Sequence, residues 1–249
     1  MDLQGKKIIV TGGVRGLGRA MVEKFVAKGA QVTVFDLDAP GLAELQTQQS
    51  SVNCVCCDVS NYEQVVESTA RYHEEFGAAD ALINNAGILY SELLIKVTES
   101  GVAKHGVAMW NEVMAANLNS VFYMTVCVTE KMVTTRTKGV VVNISSVAAK
   151  GNVGQSAYAA GKAAVNALTA VWSKELGPFG IRVAAVAPGF TETESTKEAL
   201  SESVLRETIK RVPLRRLGKP AEIAEGVISV LENDFFNGKV FELDGGLVI

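Results

Sequence analysis

The feature that most constrains this chain is its rhythm: short runs rich in Val and Ile alternate with stretches of helical period from one end to the other. The runs are Lys7–Thr11, Gln31–Phe35, Val52–Cys57, Ala81–Asn84, Gly139–Ser145, Arg182–Ala187 and Lys239–Leu243. Several are apolar without alternation, as strands covered on both faces are. Between them the spacing predicts helices over Leu17–Lys28, Ala39–Gln48, Ser60–Phe76, Met109–Thr134, Ser156–Leu176 and Pro220–Glu232. Such alternation requires parallel strands joined by right-handed crossovers. The expected architecture is α/β: a doubly wound Rossmann fold with one seven-stranded parallel sheet and helices on both faces. No linker or repeat divides the 249 residues, so a single domain over 1–249 is expected.

Two connections break the rhythm, at about 88–108 and 190–218. Both leave the carboxyl ends of strands, where open parallel sheets bind ligands, so both are expected to shape the substrate pocket. The third helix opens on Ser60-Asn61-Tyr62-Glu63, which reads as a capping box with Ser60 as the cap.

Composition excludes several classes. A net charge of −3 with 24 scattered Lys and Arg gives no footprint for nucleic acid. Long apolar stretches are interrupted by Asn, Ser and Thr, so no membrane span is expected. The N-terminus runs straight into an apolar strand and lacks the zones of a signal peptide, which points to the cytoplasm. Cys54, Cys56, Cys57 and Cys127 lack the paired spacing of a thiolate metal site, and neither His73 nor His105 completes one. They read as small core residues, the first three on a buried strand.

Chemistry enters at the turns. Thr11-Gly12-Gly13-Val14-Arg15-Gly16-Leu17-Gly18 lies between the first strand and the first helix. Glycines there permit a tight turn and let backbone N–H groups approach a pyrophosphate, which the helix N-terminus favours. Asp36 ends the second strand, where a carboxylate accepts both adenosine ribose hydroxyls and repels a 2′-phosphate. Its other possible role is a helix cap ahead of Ala39-Pro40. Arg15 pulls the opposite way, towards a 2′-phosphate. Because the carboxylate would occupy the phosphate's place directly, NAD is expected over NADP. Tyr158 and Lys162 stand four residues apart on one helix face. A phenol of ordinary pKa about 10 needs a neighbouring cation, which lowers it, to exchange protons near neutrality.

Taken in order, these residues resemble the short-chain dehydrogenase/reductase family along essentially the whole chain. The resemblance rests on the glycine turn, Asp58, Asn84-Asn85-Ala86-Gly87, Asn117, Asn143-Ile144-Ser145-Ser146, Tyr158 with Lys162, and Pro188-Gly189. It implies that Tyr158 is the acid/base and that Lys162 lowers its pKa while bonding the nicotinamide ribose. It implies that a serine orients the substrate oxygen, and that Asn117 kinks its helix and holds a water linking Lys162 to solvent. For the cofactor it implies Gly12, Arg15, Gly16, Leu17 and Gly18 at the pyrophosphate, and Asp58 and Val59 at the adenine. Asn85, Ala86 and Gly87 would meet the adjoining ribose, and Thr191 and Thr193, after Pro188 and Gly189, the carboxamide. No metal is required. Tyr158 is preceded by Ser145 at thirteen positions, the family's usual spacing, and by Ser146 at twelve. Ser146 fits the local motif. Loops lose residues more readily than strands shift register, so Ser146 is the expected catalytic serine.

The expected reaction is hydride transfer at the nicotinamide C4 coupled to proton transfer through Tyr158. Val212–Pro220 and Leu243–Gly246 resemble the 3-oxoacyl-thioester reductase branch. The insertion after Gly87, with Ser146–Ala149 and Val153–Gln155, resembles NAD-dependent type II 3-hydroxyacyl-CoA dehydrogenases. The expected substrate is therefore a 3-hydroxyacyl/3-oxoacyl thioester. The alternatives are a small ketone, cyclic alcohol or steroid, or a nucleotide-binding scaffold without turnover. Apolar surface on the two long helices, with the resemblance, implies a homotetramer.

Overall fold

The computed structural model describes residues 1–99, 101–194, 196 and 202–247. Its main sheet has seven strands: β1 (Lys7–Thr11), β2 (Gln31–Asp36), β3 (Asn53–Cys56), β4 (Ala81–Asn84), β7 (Gly139–Ile144), β8 (Ile181–Pro188) and β9 (Val240–Leu243). Their spatial order is β3-β2-β1-β4-β7-β8-β9, and neighbouring strands all pair in parallel. Successive β1 residues show why these runs carry no alternation. Ile8 and Val10 join an apolar cluster on one face, Ile9 joins the other cluster, and all three are fully buried. On the first face α1 (Gly16–Ala27) packs beside α8 (Pro220–Glu232). On the second lie α3 (Tyr62–Phe76), α5 (Ser120–Thr134) and α6 (Ser156–Leu176). Chain order reverses between β1 and β4, which opens a crevice at the carboxyl ends of the strands.

Five expectations change. The run from Met109 to Thr134 is not one regular helix: α4 (Val107–Met114) passes through a π turn, Ala115–Asn119, into α5. The 88–108 connection folds into an antiparallel hairpin, β5 (Ile95–Thr98) and β6 (Gly101–Lys104), with Val97 facing Val102. Ser60 does not cap α3. Asn61 does, accepting from Gln64 N at 3.0 Å, while Ser60 donates its hydroxyl to Asp58 at 2.7 Å. The cysteine strand is the sheet's edge, so Cys56 is exposed and Cys54 half-buried, and only Cys57 of the three is core. The 190–218 connection holds a helix, α7 (Glu202–Arg211); residues 195 and 197–201 fall outside the described part. Among the described residues no helix is long and apolar enough to cross a membrane.

Candidate active site

One cleft of about 900 Å³ runs along the crevice. It is lined from one end to the other by Gly12, Arg15, Gly16, Leu17, Asp36, Asp58, Val59, Asn85, Ala86, Gly87, Asn117, Ser146, Tyr158, Lys162, Pro188, Gly189, Thr191 and Thr193. Of the sites expected from sequence, Gly18 alone does not line it: it sits just beneath.

The glycine end is shaped by how closely backbones approach. A Cβ on Gly18 would stand 1.9 Å from Gly12 O, and one on Gly12 would stand 2.9 Å from Ala86 Cα. Gly16 differs, with a φ of +58° and only Thr193 Cγ2, at 3.9 Å, near its missing Cβ. Its place faces open cleft at the start of α1. That helix has no side-chain cap and no acid in its first turn, so its N-terminal N–H groups are available to an anion. Thr11, which sequence reasoning passed over, ties this turn to the next: its hydroxyl accepts from Asn85 N and Ala86 N, both at 3.0 Å. Asn85 returns the contact, donating to Thr11 O and Gly12 O.

Asp36 does not cap α2 (Ala39–Gln48); Asp38 does, accepting from Gly41 N at 3.0 Å. Asp36 instead accepts Val14 N at 3.2 Å and Asp38 N at 3.1 Å, one on each oxygen. Each oxygen keeps a lone pair for a further donor. Leu37, not anticipated from sequence, lines the cleft directly after Asp36, its only sequence signal, and Ile88, also not anticipated, lines it beyond Gly87, its carbonyl accepting from Asn117 Nδ2. Asp58 is held by Ser60, whose N–H and hydroxyl both donate to one oxygen.

At the other end β7 delivers the two serines and α6 delivers Tyr158 and Lys162. Ser145 is buried, its hydroxyl donating to Lys162 O at 3.3 Å. The Ser146 hydroxyl accepts from Ala148 N at 3.1 Å and lines the cleft with the Tyr158 phenol. Adjacent strand residues point oppositely, so one serine holds the helix and the other meets the tyrosine. Lys162 Nζ donates to Ile144 O at 2.7 Å and lies 5.8 Å from the Tyr158 ring centroid. Burial lowers Lys162 to about 8. Burial also raises Tyr158 above its ordinary value, against the opposing hydrogen bond from Ser146. The phenol is therefore protonated here, where the expected effect of Lys162 was to lower it. Desolvation is the largest cause of the shift, and Lys162 is not among the groups that lower it.

Asn117 explains the π turn. Its side-chain amide donates to Val113 O, four residues back, at 3.0 Å and to Ile88 O at 2.9 Å. Its Oδ1 is buried with no partner. A Cβ on Gly87 would stand 2.3 Å from that oxygen and 3.7 Å from Lys162 Nζ, so the three converge on one point. An unpaired buried acceptor costs about 1–3 kcal/mol, which makes this point a place for a water or ligand donor. Asn152 and Gln155 line the cleft too, with Asn152 Nδ2 donating to Gln155 Oε1 at 3.1 Å. Thr191 donates to Gly189 O, and Thr193 shares a hydrogen bond with Thr196.

The model of the short chain dehydrogenase family matches residues 6–203. The chain belongs to the short-chain dehydrogenase family. It is 37% identical to a 3-oxoacyl-(acyl-carrier-protein) reductase of Thermotoga maritima, over all of both chains. It is 34% identical to the enzyme of the same name from Vibrio harveyi, over 99% of each chain. It is also 34% identical to a sorbitol-6-phosphate 2-dehydrogenase of Klebsiella pneumoniae, over 99% of this chain and 97% of that one. The chain is thus an oxidoreductase of a family that binds nicotinamide cofactors. The cleft fits such a group: a long shape, an uncapped helix N-terminus, an open place before Gly16, and a carboxylate with free lone pairs at the far end.

Proposed function

We propose that this chain, one domain over 1–249, interconverts 3-oxoacyl and 3-hydroxyacyl thioesters, with NAD favoured over NADP. The observation that carries the reading is Ser146 and Tyr158 lining one cleft, with buried Lys162 5.8 Å from the Tyr158 ring centroid. When bound, the dinucleotide supplies or accepts the hydride. The chain's own residues handle the oxygen. Ser146 and Tyr158 both hydrogen-bond it, and those bonds strengthen as it gains charge, which lowers the barrier. A phenol raised by burial holds its proton until a stronger base forms, so Tyr158 delivers it to the nascent alkoxide. Lys162, cationic below about 8, then favours the phenolate that remains. The unpaired Asn117 Oδ1 positions a water that returns the proton.

The thioester reading is supported by relatives of that name across the full chain. A sugar-phosphate dehydrogenase at similar identity favours a second reading, a polar secondary alcohol. The preference for NAD rests on Asp36 inside the cleft, with Arg15 exposed at its mouth. A panel of acetoacetyl-, 3-oxohexanoyl- and 3-hydroxybutyryl-CoA against small ketones and polyol phosphates, each with both cofactors, tests both points. Thioesters should lead in kcat/KM, by about tenfold or more. A ranking led by polyol phosphates would transfer the assignment to the second reading.

We also propose a homotetramer built on α5 and α6. Their outer faces leave Phe122, Val126 and Val171 exposed, and Phe122 meets Trp172 with ring centroids 6.4 Å apart. Exposed apolar faces of this kind mark association surfaces. Light scattering at micromolar concentration that gave only monomer would remove it.

A further inference from the structure

The hairpin of the 88–108 connection is exposed along both strands, yet its base is tightly held. Glu92 stands at the centre of that base. Its Oε2 accepts Gly106 N at 2.8 Å and lies 3.6 Å from His105 Nδ1. The Tyr90 ring meets His105 edge-on at 6.0 Å, and its phenol helps hold the Glu92 carboxyl below its ordinary value. His105 N closes the hairpin on Leu94 O at 3.0 Å. These contacts join the entrance of the hairpin to its exit, where Gly106 is the N-cap of α4, the helix that runs into the π turn of Asn117.

The backbone of Glu92 faces the other way. Its N–H donates to Gly154 O at 2.7 Å, and it forms a parallel bridge with Gln155. Ser91 accepts from Gln155 Nε2 at 3.3 Å. Gln155 is buried, holds Asn152, and directly precedes α6, which carries Tyr158. One residue therefore connects the inserted hairpin, the start of α4 and the loop that forms the cleft wall beside the tyrosine.

We infer that Glu92 is a positioning residue: its carboxylate locks the base of the hairpin so that its backbone can hold the Asn152–Gln155 wall against the substrate. The inference rests on the proposed reading of the cleft as a carbonyl-reducing site. The Gly106 amide, ahead of Tyr90 and His105, holds the Glu92 carboxyl below its ordinary value, so the lock is charged at neutral pH. Glu92 is not near the cofactor end of the cleft. Its loss should therefore affect substrate binding and leave the dinucleotide alone.

The test compares Glu92→Ala with Glu92→Gln, which keeps an acceptor for Gly106 N. Removing one charge-assisted hydrogen bond should raise substrate KM about tenfold in the alanine variant. Its kcat and its cofactor Kd, the latter by nucleotide fluorescence, should stay within about threefold. Glu92→Gln should recover most of the KM. The amide of residue 92, bonded to Gly154 O, should exchange with deuterium about tenfold faster in Glu92→Ala than in the parent. KM is read on whichever carbonyl substrate the parent turns over, so failure of the thioester reading leaves this test intact. Unchanged KM and unchanged exchange would overturn the inference, as would parallel losses in KM, kcat and cofactor Kd. Should Glu92→Ala not fold, Tyr90→Phe replaces it. It should raise KM about threefold with cofactor Kd unchanged, and no change in KM overturns the inference equally.

Discussion

The two ends of the cleft are built on different principles. At the glycine end, side chains are absent because backbones occupy their places: Gly18 against Gly12 O at 1.9 Å, Gly12 against Ala86 Cα at 2.9 Å. At the end proposed for the substrate, Leu89, Asn152, Gln155, Phe190 and Thr196 line the cleft, on loops that lead into the exposed hairpin, α6 and the connection carrying α7. The first end has almost no freedom to vary without losing the turn itself. The second is pinned at a few points, such as Glu92 on Gly154 and Thr191 beside Gly218, between which sequence can change. A constrained glycine end with a more changeable opposite end fits relatives named for different substrates at similar identity.

If the ends do separate jobs, variants at each should move separate constants. The largest split is expected between the serines. Ser146→Ala should lower kcat about a hundredfold, the usual cost of removing a donor to a developing oxyanion, with cofactor Kd unchanged. Ser145→Ala removes only the contact to Lys162 O and should cost less than about threefold. The reverse ranking would mean that the thirteen-residue spacing was the better guide.

A smaller split is expected at the ribose end. Asp36→Ala removes the carboxylate that would bond the ribose hydroxyls and repel a 2′-phosphate, leaving Arg15 unopposed. The ratio of kcat/KM for NAD over NADP should fall about tenfold or more, at fixed ionic strength. Thioester KM at saturating cofactor should not change. Because Asp36 also bonds Val14 N and Asp38 N, a loss of several degrees in Tm should accompany the shift. An unchanged ratio with lowered Tm would make Asp36 structural only.

The smallest effect concerns pH. As pH rises through about 8, Lys162 loses its proton and with it the charge that favours the phenolate. Reductive kcat/KM should fall along a limb centred near that value, within about one unit. The sign for folding is opposite. With a folded pKa below its ordinary 10.5, Lys162 binds fewer protons than in the unfolded chain between about 8 and 10.5, so its contribution to stability rises across that window.

Legibility followed the same division. The order of strands and helices was readable because Ile8, Ile9 and Val10 are buried on both faces of a sheet, and a run of that kind has few other uses. That the glycine turn, Asp36, Ser146, Tyr158 and Lys162 line one cleft was readable because the role the resemblance implies for each demands a narrow choice of residue. The hairpin was not: Ile95–Lys104 lacks a turn signature stronger than Ser-Gly, and its strands are exposed, so burial leaves no period to read. The π turn changes no apolar spacing that a helix would not tolerate, so only the resemblance, through Asn117, implied a kink there. Asn61 was overlooked beside Ser60 because either can cap, and only the Asp58 contact decides between them. Burial likewise set the Tyr158 shift, a property that spacing to Lys162 cannot convey.

The central claim is that this cleft performs proton transfer at Tyr158 rather than only holding a nucleotide. Tyr158→Phe, with cofactor Kd measured by fluorescence titration and turnover measured on 3-oxoacyl-CoA in the same preparation, tests it directly. If the phenol moves a proton and does not dock the dinucleotide, Kd should stay within about twofold while kcat falls about a thousandfold, within the range for loss of a general acid. Near-normal kcat in Tyr158→Phe, with Kd unchanged, would contradict the account.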